Sequence, residues 1–179
     1  MELDDENIGT MPVLERHLFN ISSLEDYMNS NVEGFNGPIT VEEFKGGQSN
    51  PTYKISSPAQ SYVLRRKPPG KLLKSAHAVD REYTVITALN DTDVPVPKSY
   101  ALCEDEDIIG TPFYIMEFKE GRVLWDPAME ESDFEEAKGV YLSMNESIAK
   151  LHSVNYENVG LEDFGKPGNY VGRQISRWS

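Results

Sequence analysis

The sequence predicts an α+β fold, a five-stranded antiparallel sheet with one packed helix, followed by the start of a helical region. Three observations predict it. Short runs rich in apolar, aromatic and β-branched residues recur at 39–45, 52–57, 61–66, 98–103 and 112–118. Between the third and fourth runs, Val79, Tyr83, Val85, Ile86 and Leu89 fall at largely helical spacing. A longer helical pattern covers roughly 132–152, through Tyr141, Leu142, Met144, Ile148 and Leu151. Strands that pair mainly in sequence around a single helix give an α+β arrangement.

The elements follow in order. Residues 1–12 look loose, and 13–19 and 24–32 read as short helices. Ser22 with Glu25 three places on is a capping-box pattern for the second of them. Gly34 to Pro38 breaks the chain before the first strand. A glycine turn joins the first two strands, Ser56 to Gln60 joins the next two, and Pro68-Pro69-Gly70 stops the third. Val94-Pro95-Val96-Pro97 ends the helix and enters the fourth strand, and the acidic turn Glu104 to Asp107 precedes the fifth. Residues 153–172 read mostly as loop, and Gln174 to Trp178 begins another helix. The expected divisions are an N-terminal helical segment at 1–37, a sheet-bearing lobe at 38–119, and a connecting and helical part at 120–179.

A chain of 179 residues can bury a sizeable core, and 39% apolar with 10% aromatic residues fits a globular domain. No apolar run approaches the roughly 20 residues of a membrane helix. The acidic start, Met-Glu-Leu-Asp-Asp-Glu-Asn, is not a signal peptide. Cys103 is the single cysteine and has no internal disulfide partner, which agrees with a reducing compartment. A cytoplasmic protein with no membrane partner is the expectation. The net charge of −13 argues against nucleic acid. The acidic clusters read as solvated ends and helix starts, with attraction of a cationic substrate as the lesser alternative.

The chemistry concentrates in Phe-Lys-Gly-Gly-Gln-Ser-Asn-Pro-Thr-Tyr-Lys-Ile, residues 44–55. Gly46 and Gly47 let the main chain approach a ligand closely. Gln48, Ser49, Asn50 and Thr52 follow with polar side chains beside exposed amides, as in a strand–turn–strand lid over phosphates. A kinase-like lobe also needs a cation on its third strand and a carboxylate on the next helix to hold it. Arg65 in Tyr62-Val63-Leu64-Arg65 and Glu82 in Arg81-Glu82-Tyr83 stand in those places. The sequence leaves Lys67 and Lys54 as alternative phosphate ligands, and a purely structural Arg65–Glu82 pair as the other reading. Phe113-Tyr114-Ile115-Met116-Glu117-Phe118 fits the strand leading to a hinge. There main-chain groups near Glu117, Phe118 and Lys119 would hold adenine, with Met116 facing the pocket. His152, at a helix end, reads as a cap or packing residue; His17 and His77 have no partner in the sequence.

Taken together the chain resembles the aminoglycoside phosphotransferase (choline/fructosamine-kinase-like) family, over residues 24–179. The motifs that carry it are Gly46 to Tyr53, Tyr62 to Arg66, Arg81 to Tyr83 and Ile109 to Glu117, with Leu151-His152 and Gly172-Arg173-Gln174 through Arg177-Trp178. The branch it looks closest to has a kinase-like domain also found fused to some acyl-CoA dehydrogenases.

The resemblance implies a protein-kinase-like N-terminal lobe that binds ATP with Mg²⁺. It implies transfer of the γ-phosphoryl group to a small-molecule hydroxyl, on an acyl-CoA-type substrate in that branch. Arginine for lysine at position 65 is a departure from the pattern. The family's His-Gly-Asp loop and magnesium aspartate do not occur before Ser179, so the metal ligands are expected outside this chain. Asp163-Phe164-Gly165 is not their equivalent, because no catalytic loop precedes it. The rival to a kinase lobe is a non-catalytic nucleotide-binding or interaction module. An exposed inter-lobe face would favour a homo-oligomer. The 179-residue chain is expected to lack phosphotransferase activity; ATP-dependent phosphorylation by the purified chain would refute this.

Overall fold

The computed structural model describes residues 8–46, 49–70, 77–124, 126–130, 132–166 and 168–178. One sheet organises them: β1 (Thr10–Met11), β2 (Thr40–Phe44), β3 (Thr52–Ser56), β4 (Ser61–Arg66), β5 (Ser99–Cys103) and β6 (Phe113–Glu117). The order is β1-β2-β3-β4-β6-β5, and all neighbours are antiparallel. The five expected strands are present. The sixth, β1, lies where the sequence looks loose. Two residues cannot display a period, and β1 exists through its pairing with β2, Thr10 opposite Phe44 and Met11 opposite Glu43.

The helices are α1 (Ile21–Asn31), α2 (Val79–Leu89), the single turn α3 (Glu106–Ile109), α4 (Phe134–Ser153) and α5 (Tyr170–Trp178). Helix α1 starts earlier than the capping-box pattern predicts, because Asn20 is the cap and accepts from the Ser23 amide at 3.1 Å. The Glu25 carboxylate instead accepts from the Ile39 amide at 3.0 Å, tying the helix to the approach to β2. The helix expected at 13–19 shrinks to a 3-10 turn, Glu15–His17, bounded by extended Leu14 and Leu18. The acidic turn becomes α3, capped by Asp105 and stopped at Gly110, whose φ of 86° suits glycine.

Alternation along the strands divides the sheet into two faces. Tyr53, Ile55, Tyr62, Leu64, Phe113 and Ile115 point to the back, where they pack with Leu24 and Met28 of α1 and with Val32 just after it. The sequence predicts one helix on the sheet. The structure has a helix on each side, α1 behind and α2 in front. Burying Leu24 and Met28 contributes about 1.5–3 kcal/mol each. Cys103 lies in this core with its thiol pKa pushed up by burial, in keeping with a structural role.

The back also holds a polar cluster that the sequence does not reveal. Glu43, 3% exposed, accepts from the Leu14 amide at 3.1 Å and pairs with His17 Nδ1 at 2.7 Å. The His17 carbonyl accepts from Tyr53 Oη and from Arg66 Nη2, at 3.2 and 2.8 Å. The Arg66 guanidinium lies 5.2 Å from the Phe19 ring centroid and 5.4 Å from that of Tyr53. Residues 14–19 are thereby fastened to the sheet.

Helices α4 and α5 differ from this core: none of their described side chains is buried, and Phe134, Leu142, Met144, Tyr170 and Trp178 are exposed. No described helix is long and apolar enough to cross a membrane. The contrast between the two regions is measurable by urea unfolding. Met28→Ala is expected to lower stability by about 2–5 kcal/mol and Met144→Ala by less than about 0.5 kcal/mol.

Candidate functional site

The front of the sheet places three polar side chains in one row, because Thr52 of β3 is opposite Arg65 of β4, and Arg65 is opposite Tyr114 of β6. Their Cβ atoms share a face opposite to Tyr53, Leu64 and Ile115. Helix α2 crosses this row and supplies Glu82. Arg65 donates through Nε to Glu82 Oε2 at 2.7 Å and through Nη1 to Thr52 Oγ1 at 3.1 Å. Tyr114 Oη donates to the same Glu82 oxygen at 3.1 Å. The other oxygen, Oε1, accepts from Asn50 Nδ2 at 3.2 Å. One carboxylate therefore gathers β4, β6 and the end of the glycine turn.

The turn end is braced further. Thr52 Oγ1 donates to the Asn50 carbonyl at 3.0 Å, and Asn50 Oδ1 meets His77 Nδ1 at 2.7 Å. Asn50 is buried, so its amide orients the turn from within. His77 is the residue that sequence reasoning missed; its contact spans 27 positions, and no local signal announces it. Tyr114 remains a neutral donor: burial pushes its pKa up, and the Glu82 charge pushes it further.

Beside this network opens a cleft of about 570 Å³, lined by Phe44, Gly46, Thr52, Lys54, Phe118 and Lys119 among others. Thr52 belongs to both the network and the cleft. The Phe44 and Phe118 rings stack at 6.4 Å between centroids, with Lys54 Nζ 4.7 Å over Phe118. The arrangement joins apolar ring surface to ammonium groups and a glycine turn in one concavity.

Of the residues singled out in the sequence, Gly46, Thr52, Phe118 and Lys119 line the cleft, and Asn50, Arg65 and Glu82 form the adjoining network. Ser49 is exposed at the turn; Gly47 and Gln48 lie outside the described residues. Met116 follows the same row as Lys54 and Val63 but is not among the described residues lining the cleft. The Glu117 amide donates to the Lys98 carbonyl at 2.8 Å, and its carboxylate accepts from the Lys98 amide and from Lys119 Nζ. The Lys119 ammonium holds that carboxyl below its usual range. Between the alternative lysines, Lys54 lines the cleft, whereas Lys67 lies 3.9 Å from Asp80 of α2.

Asp163-Phe164-Gly165 sits in a turn closed by the Phe164 amide on the Leu161 carbonyl at 3.0 Å. Arg81, next to Glu82, covers the Phe164 ring at 3.9 Å and donates to its carbonyl at 3.0 Å. Among the described residues no group of three or more His, Cys, Asp or Glu side chains converges to hold a metal ion.

A sheet whose third long strand carries a cation, held by a helix carboxylate beside a glycine turn and an aromatic-walled cleft, has the arrangement of a kinase-like lobe. The chain belongs to the phosphotransferase enzyme family, whose model matches residues 40–179. It is 47% identical over 170 residues to an Arabidopsis thaliana protein named as a probable acyl-CoA dehydrogenase, covering 90% of this chain and 21% of that protein. Acyl-CoA dehydrogenase family member 11 of Rattus norvegicus is 41% identical over 183 residues, covering 100% of this chain and 23% of that protein. A solved structure from Ralstonia eutropha, described as a candidate aminoglycoside phosphotransferase, superposes with a TM-score of 0.79 at 53% identity. That likeness covers 90% of this chain and 46% of the solved one. The chain thus spans about a fifth of the curated relatives it matches.

The raised pKa of Tyr114 has a definite sign. The folded state favours the protonated phenol, so this stabilisation is complete below the unfolded value of 10.0 and is lost as pH climbs above it. Urea unfolding is expected to show a smaller stability loss between about pH 9 and pH 11 for Tyr114→Phe than for the parent. Tyr27, Tyr53, Tyr100 and Cys103, also raised by burial, contribute to the remaining loss.

Proposed function

We propose that this chain is the ATP-binding lobe of a phosphotransferase that delivers the γ-phosphoryl group to a hydroxyl of a small molecule. The observation that carries the reading is the shared position of Thr52. It links the Arg65–Glu82 pair to a cleft walled by Gly46, Lys54, Phe44 and Phe118.

In this reading the glycine turn and Thr52 lie over the phosphates. Arg65, held in orientation by Glu82, supplies fixed positive charge toward them, and Lys54 supplies a second cation. The aromatic surface of Phe44 and Phe118 receives the base. Glu117 already uses its amide on Lys98, which leaves Phe118 and Lys119 as the hinge groups that meet adenine. Family membership supports the use of ATP with Mg²⁺. The described residues offer no metal-holding cluster, so no step is assigned to magnesium through them. The acceptor hydroxyl is expected to meet groups beyond these residues. Membership of the family does not assign an antibiotic as acceptor.

The test is calorimetric titration of ATP into the purified chain, alongside Arg65→Ala and Glu82→Gln. Binding by the parent is expected, weakened about tenfold or more by either change, since each removes a charge-assisted contact or its orienting partner. Equal binding by all three would show that the pair only braces the fold. An absence of binding to the parent would refute the nucleotide reading.

A further inference from the structure

The family match begins at residue 40, yet the cleft has a wall that lies before it. Ile8, Gly9 and Thr10 line the same cavity as Gly46, Lys54 and Phe118. They are placed there by strand β1, whose pairing partner β2 runs directly into the glycine turn. Just beyond the paired residues, the Lys45 amide donates to the Gly9 carbonyl at 3.2 Å, so the first residue after β2 is also attached to this segment. Thr10 Oγ1 donates to Glu42 Oε1 at 2.9 Å, and Glu42 is opposite Lys54 in the sheet register.

We propose that residues 8–10 are nucleotide-site residues, forming the outer wall of the cleft and setting the affinity for ATP. This rests on the reading of the cleft as an ATP site. Ile8 adds apolar surface on the side of Phe44, Phe118 and Val123, where the base would lie. Thr10 fixes Glu42 and thereby the charge environment of Lys54. The wall is held from behind. Residues 14–17 are bonded to the buried Glu43, the neighbour of Glu42 on the opposite face of β2. The segment is therefore a positioned part of the site with two attachments, one on each face of the sheet.

Binding of ATP by calorimetry tests this on the chain, on a variant lacking residues 1–11, and on Ile8→Ala, Ile8→Val and Thr10→Val. The deletion is expected to weaken binding about tenfold and Ile8→Ala about threefold, while Ile8→Val retains the parent affinity. Ile8 is 38% exposed, so its melting temperature without nucleotide should barely move. Deletion and Ile8→Ala variants that bind within about twofold of the parent would overturn the proposal. If the deletion does not fold, Ile8→Ala against Ile8→Val decides by the same criterion. A parent chain that binds no ATP sinks the nucleotide reading and this inference with it. A parent that binds while every N-terminal variant binds equally removes only the inference.

Discussion

The front of this molecule depends on where one carboxylate sits. Glu82 accepts from Arg65 on β4, Tyr114 on β6 and Asn50 at the end of the glycine turn. The Arg65 and Glu82 side chains are 30% and 36% exposed, so their ion pair is screened and worth no more than about 1 kcal/mol to stability. Stability resides elsewhere, in the fully buried Tyr53, Tyr62, Phe113 and their neighbours behind the sheet. The pair's consequence is geometric: it fixes a guanidinium against a helix. The packed core behind the sheet and the hydrogen bonds in front together hold that guanidinium in place.

Much of the fold was legible in the sequence, because the core strands alternate and the helices repeat at their own periods. What stayed hidden has a common cause, which is that partners far apart in sequence leave no local trace. Strand β1 is too short to show alternation. The bonds of the Asn50 amide to Glu82 and His77 reach across 32 and 27 positions. His17 reads as partnerless and is bonded to buried Glu43 from a segment with no regular pattern. The capping-box reading of α1 fails for a different reason. Asn20 competes as a cap two positions earlier than Ser22, and caps of similar strength cannot be ranked without the backbone path.

Arginine at position 65 is intelligible from its two bonds. A guanidinium presents donors in a fixed fork, so Nε can hold Glu82 while Nη1 holds Thr52 across the strand pair. A lysine there would keep the charge but could not fix both partners in one plane. A point charge is present at Lys54, on the neighbouring strand, resting over the Phe118 ring. The two cations differ in chemistry: one is planar and held by hydrogen bonds, the other is an ammonium resting over a ring face.

The chain's charge makes this local arrangement consequential. A net −13 repels any anion at long range, and that repulsion is screened over about 8 Å at physiological salt. Within the cleft, Lys54 and Lys119 supply positive charge among lining residues that also include Glu120, Lys119 is paired with Glu117 at 2.7 Å, and Arg65 stands in the adjoining network. An anionic ligand thus gains little from steering and much from the few positive groups it touches. In the proposed nucleotide site, an anion that can set a base against Phe44 and Phe118 would bring its phosphates toward Lys54 and the glycine turn, whereas a diffuse anion would meet mainly the acidic surface.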